Sequence, residues 1–246
     1  MTLIGLMEKF DMQTSAHMKL QQTFQLPLSV SIANLDVLRR ESIKREEEQR
    51  RVERTEGFLK AVPARFYGKT EDDFHLDYPE QGRCKKIALN FVSTFPKRLK
   101  EGTCLKFLGN SGTGKTLLSL IIYQALAKTG FSVRYESSLH FLRQFQEKEF
   151  ESHVAYQSLL TSYLRTQFLI IDEVSVGIGK GGHPAEWQRS HLYTLINQRY
   201  INRLCTLVIS NHSQDELIER LGEPTVGRLT ENGITLAFNW KSYRQK

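Results

Sequence analysis

Lysine and threonine close the run Gly109-Asn110-Ser111-Gly112-Thr113-Gly114-Lys115-Thr116, and no other residues in the chain are better spaced to do chemistry. The pattern G-x-x-x-x-G-K-T suits one task, gripping the phosphates of a nucleoside triphosphate. Glycines let the backbone curl with its N–H groups turned inward on an anion. A helix starting at the same point adds partial positive charge. Lys115 can reach the outer phosphates, and the Thr116 hydroxyl can hold Mg²⁺. The run would be a mere glycine-rich turn without a strand before it and a helix after it. Leu105-Lys106-Phe107-Leu108 has strand character and residues 117–127 have helix character, so both flanks are present.

Hydrolysis needs further groups. The apolar run Phe168-Leu169-Ile170-Ile171 ends in Asp172-Glu173. A carboxylate at the carboxyl end of a buried strand can reach a Mg²⁺ held by Thr116, which suits Asp172. Glu173 can act as general base toward the attacking water. Alone, such a pair is equally well a solvated loop start; its position after the glycine loop gives it meaning. Asn211 follows Leu207-Val208-Ile209-Ser210 and can orient that water, or can simply serve a turn. The charge that develops on a transferring phosphoryl group favours an arginine, sometimes a neighbouring subunit's. Arg203, Arg220 and Arg228 are equal candidates on residue chemistry.

The elements that must position these groups follow from periodicity. An amphipathic helix is predicted over 80–95, ended by Pro96. Strands are predicted over 131–135, 168–171, 204–209 and 234–238. Helices are predicted over 139–150, 156–164, 187–200 and 215–221, the last capped by Ser213. Strands alternating with helices imply an α/β domain with a mainly parallel sheet covered on both faces. Before residue 58 the chain differs. Leu3, Leu6, Met7 and Phe10 share one helical face, and Pro27 interrupts the apolar residues around it. Residues 35–57 mix arginine and glutamate at spacings that support a solvated helix, a linker or a partner-docking element.

Composition narrows the class. The 246 residues carry 34 Lys+Arg against 27 Asp+Glu, a net charge of +7, which favours polyanionic partners. Cys84, Cys104 and Cys205 are far apart and spaced for neither zinc nor disulfides, and His140, His153, His183 and His191 show no ligand pattern. With no membrane-spanning apolar run and no secretory signal near residue 1, a cytoplasmic location is expected.

Glycine loop, strand with Asp-Glu, and Val-Ile-Ser-Asn on the next strand follow the order of an AAA+ ATPase. Leu221-Gly222-Glu223, Gly227-Arg228-Leu229 and the ending Phe238-Asn239-Trp240-Lys241-Ser242-Tyr243-Arg244 resemble bacterial replicative-helicase loaders of the DnaC type. The leader Ala61-Val62-Pro63-Ala64-Arg65-Phe66 is similar to the same family. The likeness covers about residues 58–246, and the ending is its most discriminating part.

The resemblance implies an AAA+ P-loop domain over 58–246, three layers around a mainly parallel sheet, preceded by a smaller helical arm over 1–57. It implies ATP and Mg²⁺ as cofactors, with residues 109–116 on the phosphates and Asp172 and Glu173 as the Walker-B pair. Asn211 takes the sensor-1 position, Arg228 the arginine finger acting in trans, and Arg244 the sensor-2 position. The arm would grip a hexameric replicative helicase, and the ATPase domain would bind single-stranded DNA and self-associate on the complex. The implied function is ATP-dependent loading of that helicase during replication initiation.

Two departures stand out. Pro224 replaces an arginine usual after Gly-Glu, which questions the local helix, and residues 177–184 are unusually glycine-rich. Phe141, Arg143, Phe145, Lys148, Phe150, Tyr156, Tyr163 and Arg165 interleave rings and cations, which suits either stacked bases or core packing. Two alternatives remain: a transposition helper ATPase of the IstB type, and a nucleotide-gated adaptor with little hydrolysis. A small-molecule kinase lacks an acceptor-pocket motif.

Overall fold

The computed structural model describes residues 62–175, 177 and 185–245, together with Glu41. The chain divides into two units, Met1–Thr55 and Glu56–Lys246, and apart from Glu41 every described residue belongs to the second. The helix expected around Leu3–Phe10, the charged helix over 35–57 and most of the 177–184 segment lie outside the described residues.

Five strands build the sheet: β1 (Cys104–Gly109), β2 (Val133–Ser137), β3 (Phe168–Asp172), β4 (Cys205–Ser210) and β5 (Gly233–Phe238). Their order is β2-β3-β4-β1-β5, and every pairing is parallel. β1 is therefore an interior strand, with Phe107 level with Ile209 on one side and Leu236 on the other. The helices are α1 (Pro79–Ser93), α2 (Phe95–Glu101), α3 (Lys115–Lys128), α4 (Ser138–Glu151), α5 (His153–Leu164), α6 (Glu186–Ile201), α7 (Gln214–Leu221) and α8 (Glu223–Glu231).

Alternation along the strands separates two cores. Leu105, Phe107, Phe168, Ile170, Leu207 and Ile209 point to one face and pack with α1, α2 and α3. Cys104, Leu108, Leu169, Ile171 and Val208 point to the other and pack with α4 through α8. Strands buried on both faces read as continuous apolar runs, which is why β3 and β4 are legible in the sequence. Each fully buried Leu, Ile or Phe contributes about 1.5–3 kcal/mol.

Polar residues inside this frame have specific partners. Lys106, in the middle of β1, donates to Thr230 Oγ1 at 2.7 Å and Gln214 Oε1 at 3.1 Å, tying α7 and α8 to that strand. Arg199 is fully buried and donates to Thr206 Oγ1 and to the carbonyls of Tyr163, Thr166 and Cys205 at 2.6–3.0 Å. It thus staples α5, α6 and β4 together. Arg199→Leu strands two buried carbonyls and a half-buried one, and a loss of about 3 kcal/mol is expected in urea unfolding. A loss below about 1 kcal/mol would show that water replaces the guanidinium.

Three local expectations change. Pro96 does not end the helical run; Thr94 closes α1, and Pro96 lies in the first turn of α2, where its missing N–H costs nothing. Pro224 does the same for α8, so this segment is helical despite the departure from the family pattern. The strand expected over 131–135 lies two residues later, because Gly130 (φ 92°) and Phe131 still belong to the turn closing α3. Ser213 caps α7 as expected: its hydroxyl accepts from Glu216 N, and Glu216 Oε2 accepts from Ser213 N at 2.7 Å.

Candidate nucleotide-binding site

The glycine loop joins the end of β1 to the start of α3, the strand–loop–helix context the motif requires. Its backbone is closely covered. A β-carbon on Gly112 (φ 76°) would overlap the Ser242 hydroxyl, and one on Gly114 (φ 95°) would stand 3.0 Å from the Phe74 ring. Both positions combine the left-handed region with close approach.

The cover is the distinctive C-terminal sequence. Asn110 N donates to Phe238 O at 3.0 Å, Trp240 Nε1 to Thr113 O at 3.1 Å, and Tyr243 N to Gly112 O at 2.9 Å. The Tyr243 hydroxyl donates to His75 O at 3.1 Å, linking this strap to the segment before α1. Trp240 is buried and packs on Phe238 with ring centroids 4.9 Å apart. Trp240→Phe removes the bond to Thr113 together with part of a buried ring. A net hydrogen bond is worth about 1 kcal/mol, so about fivefold weaker ATP binding is expected in an equilibrium titration. Unchanged affinity would separate the strap from loop shape.

Lys115 is buried and lies back along the loop, donating to Gly109 O at 2.7 Å and Asn110 O at 2.6 Å. Burial pushes its ammonium down to about 8; Asp172 opposes the shift and Arg244 adds to it. The Thr116 hydroxyl donates to Asp172 Oδ2 at 2.8 Å, so its lone pairs stay free. Asp172 Oδ1 accepts from Glu173 N at 2.7 Å. A hydroxyl beside a buried carboxylate is a donor set of hard oxygens that suits Mg²⁺.

Glu173 has φ 55°, unusual for a non-glycine residue, and its side chain is exposed. Its carbonyl accepts from Ser138 Oγ at 2.7 Å. Just beyond it, Val174 N donates to Ile209 O and Ser210 Oγ donates to Val174 O, both at 2.8 Å, stitching the ends of β3 and β4 together. That stitching brings Asn211 to the same side as Glu173. Thr116, Asp172, Glu173, Asn211 and Arg244 line one cavity of about 230 Å³ with residues of the glycine loop.

Arg228 is elsewhere. It is held on α8 against α6, donating to Asn197 Oδ1 and Pro224 O at 2.6 Å and lying 5.1 Å from the centre of the Tyr193 ring. Neither Arg203 nor Arg220 lines the cavity. Arg203 (φ 51°) occupies the turn after α6.

Sequence reasoning missed three participants. Arg65 and Phe66, on a short 3-10 turn (Ala64–Phe66), line the cavity, with the Arg65 guanidinium 4.8 Å from the centre of the Phe66 ring. The quoted leader contained them, but nothing in their spacing to the loop signals contact. Tyr135, buried on β2, donates its hydroxyl to Asp172 Oδ2 at 2.7 Å. Burial, then the adjacent Asp172 carboxylate, pushes that phenol well above its ordinary value.

The interleaved rings divide. Phe141, Phe145 and Tyr163 are buried and pack on one another, so they are core and cannot stack bases. Phe150 is 84% exposed. No cluster of three or more potential metal ligands occurs among the described residues.

Comparison with known proteins agrees with this geometry. The chain is 23% identical over 177 residues to the replicative helicase loader DnaC of Buchnera aphidicola subsp. Baizongia pistaciae, covering 71% of this chain and 69% of that relative. It is 28% identical over 183 residues to an ATP-binding protein of insertion sequence IS232 from Bacillus thuringiensis subsp. berliner, covering 72% and 69%. The crystal structure of the DnaC helicase loader superposes with a TM-score of 0.63 at 24% identity, covering 72% of this chain and all of that one, a likeness of fold. The sequence model of the IstB-like ATP binding proteins matches residues 7–246, and the chain belongs to that family.

Proposed function

We propose that this protein is an ATP-driven loader that delivers a hexameric replicative helicase to single-stranded DNA. The observation that carries the ATP-dependent part is the convergence of Lys115, Thr116, Asp172, Glu173 and Asn211 on one cavity. The loader part rests on the likeness to DnaC.

In this reading the triphosphate lies along the glycine loop, where backbone N–H groups and Lys115 hold it. Thr116 and Asp172 would hold Mg²⁺, which would supply charge neutralisation on the outer phosphates. Glu173 accepts a proton from the attacking water, and Asn211 orients it. Arg244 adds positive charge beside the loop, and Arg228 reaches a neighbouring subunit's nucleotide. Because Arg228 is bound to Asn197 and Pro224, self-association would exchange those bonds for contact with phosphate. The arm of residues 1–57 holds the helicase in the cytoplasm, and hydrolysis resets or releases the complex. Arg143, exposed on α4, is available to a DNA backbone. No helix among the described residues is long and apolar enough to cross a membrane.

A second reading has its own support. The matched family is the IstB-like one, and the insertion-sequence relative is the more identical of the two. A transposition helper would bind a transposase in place of a helicase. Co-sedimentation of the full chain, with ATP, against the replicative helicase and the transposase of its own genome separates them. Retention of the helicase alone is expected; retention of the transposase alone sinks the loader reading. A steady-state ATPase assay with and without single-stranded DNA separates both from an adaptor that only binds nucleotide.

A further inference from the structure

Asp172 is the residue on which the proposed metal site turns, and its carboxylate is held by three donors. Glu173 N occupies Oδ1, while Thr116 Oγ1 and the Tyr135 hydroxyl share Oδ2. Two of these come from the loop and the Asp-Glu pair themselves. Tyr135 comes from β2, a different strand, and it does not line the cavity. β2 and β3 pair in parallel with Tyr135 opposite Ile170 and Ser137 opposite Asp172. Tyr135 thus begins two residues short of Asp172, and its ring spans that distance from below. Tyr135 is buried, at 5% exposure, and among the described residues its hydroxyl bonds only to Asp172.

A carboxylate that binds a metal must present a lone pair in a fixed direction, and outer hydrogen bonds fix that direction. The Thr116 hydroxyl cannot do so alone, because the same oxygen is a prospective metal ligand. A donor outside the cavity restrains the carboxylate without competing for the metal.

We propose that Tyr135 is a positioning residue that locks Asp172 in its metal-binding orientation, so that removing its hydroxyl weakens Mg²⁺ binding at the nucleotide site. This rests on the reading of Thr116 and Asp172 as the Mg²⁺ ligands.

Tyr135→Phe deletes one oxygen and keeps the ring. The test is binding of a fluorescent, non-hydrolysable ATP analogue to the full chain as Mg²⁺ is titrated, with a parallel titration in EDTA. The expected result is a half-saturating Mg²⁺ concentration about tenfold higher than wild type, with affinity in EDTA unchanged. Tyr163→Phe is the control: it deletes another buried tyrosine–carboxylate bond, to Glu136 Oε2 at 3.1 Å, away from the site. It should leave the Mg²⁺ titration where it was. Equal Mg²⁺ dependence in Tyr135→Phe and wild type overturns the proposal and leaves the nucleotide site standing. An equal shift in both variants also overturns it, because a general loosening of the fold would then be the cause. Wild-type binding that ignores Mg²⁺ overturns the metal site itself and the proposal with it.

Discussion

Glu173→Gln is expected to lower ATP turnover about 100-fold or more while leaving nucleotide affinity within about twofold. The amide has the shape of the carboxylate but cannot take a proton from water. The exchange is also conformationally neutral. Glu173 sits at φ 55°, and Gln is no more strained there than Glu, so the bonds from Ser138 to its carbonyl and from its N–H to Asp172 survive. Phosphate release at saturating ATP measures the first quantity, and equilibrium binding of a fluorescent ATP analogue the second. Normal turnover would remove Glu173 from the chemistry. Joint loss of binding and turnover would assign it to the shape of the site.

Lys115→Ala is expected to weaken ATP binding about 100-fold, roughly 2.7 kcal/mol. Two losses combine. The phosphates lose a cation, and the carbonyls of Gly109 and Asn110 lose the donor that now holds the loop. Affinity should also depend on pH through this residue. Its ammonium titrates at about 8 in the nucleotide-free protein, so wild-type affinity should fall as pH rises from 7 to 9, whereas Lys115→Ala should show no such fall from this group. The stability effect has the opposite sense. The unfolded chain keeps this proton up to about 10.5, the folded one only to about 8. Between those values the unfolded state binds more protons, so the Lys115 contribution to folding becomes more favourable as pH rises from 8 to 10.5. Comparing wild type with Lys115→Ala in thermal melts across that range isolates the slope.

Most residues of the proposed site were legible because Asp172, Asn211 and the loop leading to Lys115 and Thr116 lie at or just beyond the carboxyl ends of apolar strands, where a parallel sheet opens onto its ligand crevice. Lys115, Thr116, Asp172 and Asn211 needed only strand ends and their order. Tyr135 was not legible: on the page it is an aromatic residue in a strand, and only the β2–β3 register shows that its hydroxyl meets Asp172. Arg65 is similar, since a cation on a short turn carries no periodicity to place it. Pro96 and Pro224 misled for a different reason. Proline stops a helix from inside but starts one from its first turn, and sequence alone did not separate those positions. The interleaved rings stayed open between bases and core because helical spacing reports a shared face and does not say whether that face meets solvent or core.

The strap over the glycine loop has a consequence for synthesis. Trp240 and Thr113, which it joins, are 127 residues apart. β1, the strand that carries the loop, pairs only with β4 and β5, both of which come later in the chain. When the loop first emerges it has neither its flanking strands nor its cover. Domains generally fold as units, so ATP is not expected to guide folding of this domain before its last strand is made. On this order of events the nucleotide begins to stabilise the protein once residues 233–238 have joined the sheet and residues 239–243 have covered the loop. A nascent chain halted before them would be blind to ATP, however complete its glycine loop.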